Sequence, residues 1–169
     1  MGHAITALLV KGNCNTAALE KYDLKSISLK FDLSLLFIDH YYSACWQKMT
    51  ETTEDLPMDK PPPCFPTEGV LLEIAKALTN QLHPKFAIIQ TDYFGGVGSQ
   101  WAQVFHGPLN PAPEISSINE ALRYLDVKRG PEGIWGPAYD EFDAVGLGNY
   151  RSNPEHLWKY IDLSEELGV

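Results

Sequence analysis

Apolar and polar residues alternate most regularly between residues 27 and 37. The polar positions hold Ser28, Lys30, Asp32 and Ser34, and the apolar positions between them hold Ile27, Leu29, Phe31, Leu33, Leu35 and Phe37. A period of two is typical of a strand that buries one face against a core. The pattern therefore predicts a half-buried antiparallel strand over residues 27–37, or two strands that join near Asp32.

The chain beyond this alternation is too long to continue as the same straight strand. We expect a turn around Asp39, followed by a further strand. The side chains on one side of that strand would be Tyr42, Ala44 and Trp46.

Two apolar runs predict additional strands. Residues 3–12 are apolar on both alternating faces, which is typical of a strand in the middle of a sheet. Residues 86–93, with the sequence FAIIQTDY, form the second run.

Helical periodicity predicts two longer helices. Residues 67–82 place one apolar stripe along a helix, namely Leu71, Ile74, Ala75, Leu78 and Leu82. Residues 117–125 open with Ser117 and Glu120 in the spacing of a capping box. Capping residues predict shorter helices after Asn15, Asp140 and Asn153.

The order of these elements indicates the fold class, because strands lie early and centrally while helices dominate the later part. We predict a single α+β domain over residues 1–169, with an antiparallel or mixed sheet and helices packed on one face. Residues 50–66 combine acidic residues with five prolines and show no periodicity. They are predicted to form a Pro-rich surface loop, since proline cannot donate to a strand ladder.

The glycine-rich stretch within TDYFGGVGSQWAQVF has two possible structures. If Ser99 caps a helix, Gly95, Gly96 and Gly98 could form a ligand-binding loop at a helix N-terminus. If a strand follows instead, the glycines turn a hairpin, which we favour because the segment soon ends at His106-Gly107-Pro108. Complete nucleotide-binding motifs are missing, so no cofactor is expected.

Four residues are weak candidates for acid–base chemistry: Asp92, His40, Asp140 and Asp143. Carboxylates and imidazoles can transfer protons when they meet in a cleft. Helix capping is the favoured role for the acids that begin a predicted helix, because they complement its dipole. The histidines have no metal-binding spacing, and no metal is expected.

Charge and cysteine content limit the possible partners. The net charge is −9, which repels nucleic acid and attracts basic protein surfaces. No apolar run is long enough to span a bilayer, so no membrane partner is expected. Three widely spaced cysteines, with no secretory leader before them, predict a cytoplasmic location.

Three blocks between residues 86 and 151 resemble a group of small uncharacterised bacterial proteins. The blocks are TDYFGGVGSQWA, SINEALRYLDV and DEFDAVGLGNYR. Some small acidic bacterial proteins of this kind are thought to be immunity proteins of toxin systems. The resemblance implies such a role and implies no catalytic residue.

These observations favour a non-enzymatic protein-binding domain, such as an immunity-type inhibitor of a basic toxin. Its interface candidates are the aromatic residues near predicted turns: Tyr41, Tyr42, Tyr93 and Trp135. The alternative is a small hydrolase or transferase that uses acidic residues near the glycine-rich loop. The sequence predicts no particular oligomeric state.

Overall fold

A five-stranded antiparallel sheet organises the chain in a computed structural model that describes residues 2–169. Its strands are β1 (Thr6–Lys11), β2 (Ser26–Leu29), β3 (Leu33–Phe37), β4 (Lys85–Phe94) and β5 (Val97–His106), in the spatial order β2-β3-β1-β4-β5. The α-helices are α1 (Thr16–Lys21), α2 (His40–Met49), α3 (Val70–Thr79), α4 (Ile118–Tyr124), α5 (Glu141–Ala144) and α6 (Lys159–Leu167). The α+β class and the antiparallel sheet are confirmed.

Helices cover both faces of the sheet rather than one face. In the central strand β1, Leu8 and Val10 pack into a core cluster with α1, α2, α3 and α6. Ala7 and Leu9 point the opposite way, into a second cluster with α4 and α5. A strand that is apolar on both faces needs cover on both sides, so the expectation of helices on one face was wrong.

Residues 27–37 form two strands, as the second of the two alternatives predicted. Phe31 and Asp32 have φ angles of 62° and 58° and lie in the turn between β2 and β3. Phe31 is therefore exposed and does not join the inward-facing residues. Strand β3 is almost wholly buried, and the Ser34 hydroxyl donates a hydrogen bond to the Gly12 carbonyl at 2.7 Å.

The segment after Asp39 is helix α2, so the predicted strand there was wrong. The Asp39 carboxylate accepts a hydrogen bond from the Tyr42 backbone N–H at 2.7 Å and caps the helix. Burial raises the pKa of this carboxyl above its ordinary value, and the backbone hydrogen bonds from Tyr42 and Tyr41 offset that only in part. Tyr42 and Cys45 face the core one turn apart, so the period here is helical and not the alternation that a strand requires.

Helix α3 is shorter at both ends than the predicted helix over residues 67–82. Its first N–H, from Val70, donates to the Gln47 side chain at 2.9 Å, so α2 caps it. Asn80 adopts a left-handed conformation with a φ of 53° and ends the helix. Leu82 lies beyond this cap and is 71% exposed.

The remaining predicted caps are confirmed except one. Asn15 caps α1, Ser117 and Glu120 form the capping box of α4, and Asp140 caps α5. Asn153 does not cap the last helix. Its side chain instead accepts from the Thr6 N–H at 2.9 Å and donates to the Ile38 carbonyl at 2.8 Å, which ties the C-terminal segment to the sheet.

Helix α6 is attached to the α1–β2 connection by a polar network. The Asp23 carboxylate accepts from the Tyr160 hydroxyl at 2.8 Å and pairs with the Lys159 ammonium at 2.5 Å. Burial acts to raise the pKa of Asp23, but the hydrogen bonds from Lys159 and Tyr160, together with the Lys159 charge, hold it below its usual range.

Residues 50–66 follow an irregular path, as predicted. Their only ladder contact is an isolated bridge between Asp55 and Glu68. Leu56 and Phe65 are nevertheless buried in the core cluster on the α2–α3 side. The loop is therefore anchored at two points and lies against one face of the sheet.

Candidate functional site

The glycine-rich stretch is the turn of a long β-hairpin formed by β4 and β5. Gly95 and Gly96 have φ angles of 61° and 80°, the left-handed values that a two-residue hairpin turn requires. Phe94 pairs directly with Val97 across the turn. The hairpin prediction is confirmed, and the segment after the turn supplies no helix N-terminus.

Gly98 is required for a different reason, close approach of the backbones. A Cβ atom added at Gly98 would overlap the carbonyl of Asp92 on the facing strand. The next pair along the hairpin is Asp92 opposite Ser99. A two-residue turn therefore places these two predicted site residues side by side.

The tip of the hairpin exposes large apolar side chains. Phe94 is 81% exposed and Val97 is 80% exposed. Tyr93 is half-buried, and its hydroxyl accepts a hydrogen bond from the Gln100 amide at 3.2 Å. Gln100 also accepts from the Ile118 N–H at 2.8 Å, so one side of the tip is attached to the start of α4.

One cleft lies beside the hairpin on the side of α4 and α5, and we call it the α5 cleft. Its volume is about 260 Å³, and its lining includes His3, Thr91, Tyr93, Asn119, Asp140 and Phe142. The polar groups there are engaged in hydrogen bonds within the fold, as His3 and Asp140 illustrate.

His3 contacts acceptors and donors of the fold with both ring nitrogens. Nε2 lies 3.1 Å from the Leu147 carbonyl, which only accepts, so Nε2 carries a hydrogen. The Thr91 hydroxyl oxygen accepts the Ile5 N–H at 3.1 Å and lies 2.7 Å from Nδ1, to which its own hydrogen can be donated. His3 thus holds the N-terminal segment against β4.

Asp140 joins α5 to α4. One carboxylate oxygen accepts from the Asp143 N–H at 2.9 Å, and the other accepts from the Asn119 amide at 3.2 Å. The Asn119 carbonyl oxygen accepts in turn from the Phe142 N–H at 2.9 Å. These contacts support the capping role that the sequence favoured for Asp140.

A second cleft lies on the opposite face of the hairpin, under the Pro-rich loop, and we call it the proline cleft. Its volume is about 550 Å³, and its lining includes Thr6, Pro62, Pro63, Gln90, Asp92 and Ser99. The Gln90 amide nitrogen donates to the Cys64 carbonyl at 3.3 Å and to the Thr6 hydroxyl at 3.4 Å. Gln90 therefore helps to hold the loop against the sheet.

Asp92 differs from Asp140 in having no partner. Within residues 2–169, the Asp92 carboxylate forms no ion pair and accepts no hydrogen bond. The Ser99 hydroxyl, which lies opposite it, also makes no side-chain hydrogen bond in this part of the chain. The proline cleft thus contains a free carboxylate beside a free hydroxyl.

The four acid–base candidates do not share one cleft. Asp92 lines the proline cleft, whereas Asp140 lines the α5 cleft on the other face of the hairpin. His40 lies in the first turn of α2, with its ring 4.0 Å from that of Tyr41. Asp143 is exposed on α5. Among residues 2–169, no three metal-ligating side chains form a group that could hold an ion.

Burial disfavours nucleophilic chemistry at two of the three cysteines. All three are free thiols. Burial raises the pKa of both Cys14 and Cys45, which disfavours their thiolate forms. Cys64 is exposed at the rim of the proline cleft.

The interface candidates have different surroundings. Tyr42 is fully buried and donates its hydroxyl hydrogen to the Tyr22 carbonyl at 2.6 Å, so it is a core residue and that prediction was wrong. Tyr41 is half-buried against the core. Trp135 is 98% exposed beside Ile134, at 94%, in the turn between the short strands β6 (Glu132–Gly133) and β7 (Gly136–Pro137).

Sequence reasoning missed Phe94, Val97 and Ile134 as surface residues. A signal for the first two was present, because large apolar residues directly beside a two-glycine turn lie at the tip of a hairpin, beyond the sheet that buries the rest of each strand. Their exposure follows from the length of the hairpin relative to β1.

Comparisons with protein-family models, curated proteins and solved structures return no match for this chain. Separately, the helices formed by residues 2–169 are all too short or too polar to cross a membrane.

Proposed function

We propose that this protein is a non-enzymatic protein-binding domain that contacts its partner through the tip of the β4–β5 hairpin. The observation that supports this most directly is the exposed pair of Phe94 and Val97 at the tip. Burial of apolar surface is the main favourable contribution to protein association, and exposed apolar groups rimmed by polar residues mark interaction sites.

The setting of this pair also favours recognition. Strong β-pairing along the whole hairpin holds the tip in place, since β4 and β5 pair from Lys85–His106 to Phe94–Val97. A preorganised contact surface loses little conformational entropy when it binds. The exposed Ile134 and Trp135 on the β6–β7 turn are a second pair of the same kind.

Charge supports a basic partner. With 22 acidic residues against 13 lysines and arginines, the net charge of −9 attracts a positively charged surface and accelerates its encounter. Together with the resemblance to immunity-type bacterial proteins, this leads us to propose inhibition of a basic toxin in the cytoplasm of a bacterium.

The alternative of a small hydrolase or transferase receives less support. General acid–base catalysis needs a proton donor and acceptor within hydrogen-bond reach of one substrate. Asp92 and Asp140 lie in separate clefts on opposite faces of the hairpin, and Asp140 is already engaged as a helix cap.

Affinity capture from extracts of the source organism tests the proposal. We compare the wild-type protein, the double variant Phe94→Ser/Val97→Ser and the control Leu82→Ser. Leu82 is matched because it is 71% exposed and precedes β4, at the end of the strand remote from the tip. Wild type and control should retain the same basic protein, and the double variant should lose it.

The captured protein should be toxic when expressed alone, and co-expression with wild type should relieve that toxicity. Binding should also be slower at high salt, because screening weakens electrostatic steering. Equal capture by all three proteins would place the contact surface elsewhere. The absence of a stoichiometric partner at any salt concentration, with turnover of a small molecule, would favour the enzyme.

A further inference from the structure

We propose that the proline cleft receives an arginine side chain of the basic partner, with Asp92 as its counter-ion. This inference rests on the proposed function and specifies how the partner's positive charge is recognised. It combines four features of the cleft: a carboxylate without a cation, further acceptors around it, its size and apolar wall, and its position next to the exposed tip.

The first feature is the unpaired state of Asp92. Each of the ion pairs within residues 2–169 involves other residues, so the Asp92 carboxylate is available to an incoming cation. Asp92 is exposed at the mouth of the cleft, so a partner can reach it without opening the fold. An ion pair formed there becomes stronger when the partner's surface excludes water.

The second feature is the set of acceptors that the fold leaves unused. The Gln90 amide nitrogen must face the Cys64 carbonyl, because that oxygen can only accept. The Gln90 side-chain oxygen makes no hydrogen bond in the described chain and is free to accept. The Ser99 hydroxyl can accept as well. A carboxylate and two neutral oxygens suit a guanidinium group, which presents five N–H donors in a rigid plane.

The third feature is the size and the wall of the cleft. About 550 Å³ is far more than an ammonium ion or a metal ion needs. The rings of Pro62 and Pro63 form an apolar wall on the side of the loop. Arginine packs its methylene stem along such apolar surface while its charged head reaches polar groups.

The cleft and the tip are close enough to contact one partner at once. Asp92 and Ser99 form the pair that lies two residues before the Phe94–Val97 pair along the hairpin. Strands rise about 3.4 Å per residue, so the two pairs are about 7 Å apart. An arginine that projects from an apolar patch on the partner can therefore enter the cleft while the patch covers the tip.

The experiment is a titration of the ¹⁵N-labelled full chain with N-acetyl-arginine-N-methylamide at low salt. Binding is monitored by NMR through the chemical shifts of the backbone amides. The variants are Asp92→Asn and the control Asp143→Asn, which removes the same charge from an exposed position on α5 outside the cleft. The lysine counterpart of the probe is the control ligand. The shifts should occur around residues 62–64, 90–92 and 99, and Asp92→Asn should weaken binding about threefold or more while Asp143→Asn leaves it unchanged.

Failure of the arginine site and failure of the proposed function give different results. Equal affinity of wild type and Asp92→Asn for the arginine probe, or an equal response to the lysine probe, overturns the inference. If partner capture survives in Asp92→Asn at wild-type affinity, the cleft is not where the partner's arginine binds, although the tip remains the contact. If the probe binds through Asp92 but no partner requires the tip, the proposed function fails, and the cleft is a site for a free guanidinium compound.

Discussion

The two halves of the β4–β5 hairpin differ in what surrounds them. In the half remote from the turn, Ile88 and Ala87 are fully buried, one on each face of the sheet. In the half near the turn, residues 97–100 are all exposed, as is Phe94. The backbone pairing is continuous through both halves.

This difference separates stability from recognition within one element. The buried half contributes to both core clusters and therefore to the free energy of unfolding. The exposed half buries little, so its apolar side chains do not serve the fold. A rigid support that presents a few apolar side chains is a common way to build an interface.

The largest effect that the comparison predicts is on global stability. Ile88→Ala should reduce the free energy of unfolding by about 2–5 kcal/mol, because it removes buried methyl groups and leaves a cavity. Phe94→Ala should change it by less than about 0.5 kcal/mol, since Phe94 is 81% exposed. Urea unfolding of both variants checks this. Similar losses would show that the tip also supports the core.

A smaller effect is expected at the turn. Gly96→Val should cost about 1–2 kcal/mol, because Gly96 has a φ of 80°, which β-branched residues avoid. Open space surrounds an added Cβ at this position, so the cost is conformational and not a clash. Gly96→Asn is the matched control, since asparagine tolerates left-handed backbone. Thermal melts that rank the two variants equally would contradict this explanation.

The smallest predicted effect is the difference in the free energy of unfolding between losing a paired carboxylate, Asp23, and losing an unpaired one, Asp92. The pKa of Asp23 lies below its ordinary value, so its stabilising contribution is present above an unfolded pKa of about 4 and is lost as the pH falls through the folded pKa. Asp23→Asn should lower stability at pH 7 by about 0.5 kcal/mol, a value discounted because the group is partly exposed to solvent.

The same variant should show a shallower loss of stability than wild type below about pH 4, because it lacks the titrating group. Asp92→Asn, at the unpaired site, should leave the free energy of unfolding at pH 7 unchanged. Urea unfolding from pH 2 to pH 7 measures both responses. If Asp23→Asn leaves the free energy of unfolding at pH 7 unchanged, the attachment to Lys159 and Tyr160 does not stabilise α6.

Much of the fold was predictable because local signals agreed with the tertiary structure. The apolar run at residues 3–12 predicted a central strand, and the glycine pair predicted the hairpin. Helix α2 was not predicted, since its aromatic residues also have high strand propensity and the Asp39 cap was interpreted as a turn. The end of α3 at Asn80 was equally hard to predict, because an apolar residue at position 82 extends the helical period without belonging to it.

The candidate site was predictable only where its residues are close in sequence. Once the hairpin turn is known, the register places Asp92 opposite Ser99. The approach of Pro62 and Pro63 to these residues depends on how a long loop packs on the sheet, which no spacing in the sequence expresses. Tyr42 was mistaken for a surface residue for a related reason, because its burial is set by helices distant in sequence.

The central claim is that the hairpin tip is the contact surface, and calorimetric titration with the captured partner tests it most directly. Phe94→Ala/Val97→Ala should bind about 30-fold more weakly than wild type, as removal of an interface hot spot does, with the same melting temperature. Leu82→Ala should bind like wild type. Unchanged affinity of the tip variant, with its fold intact, would contradict the account.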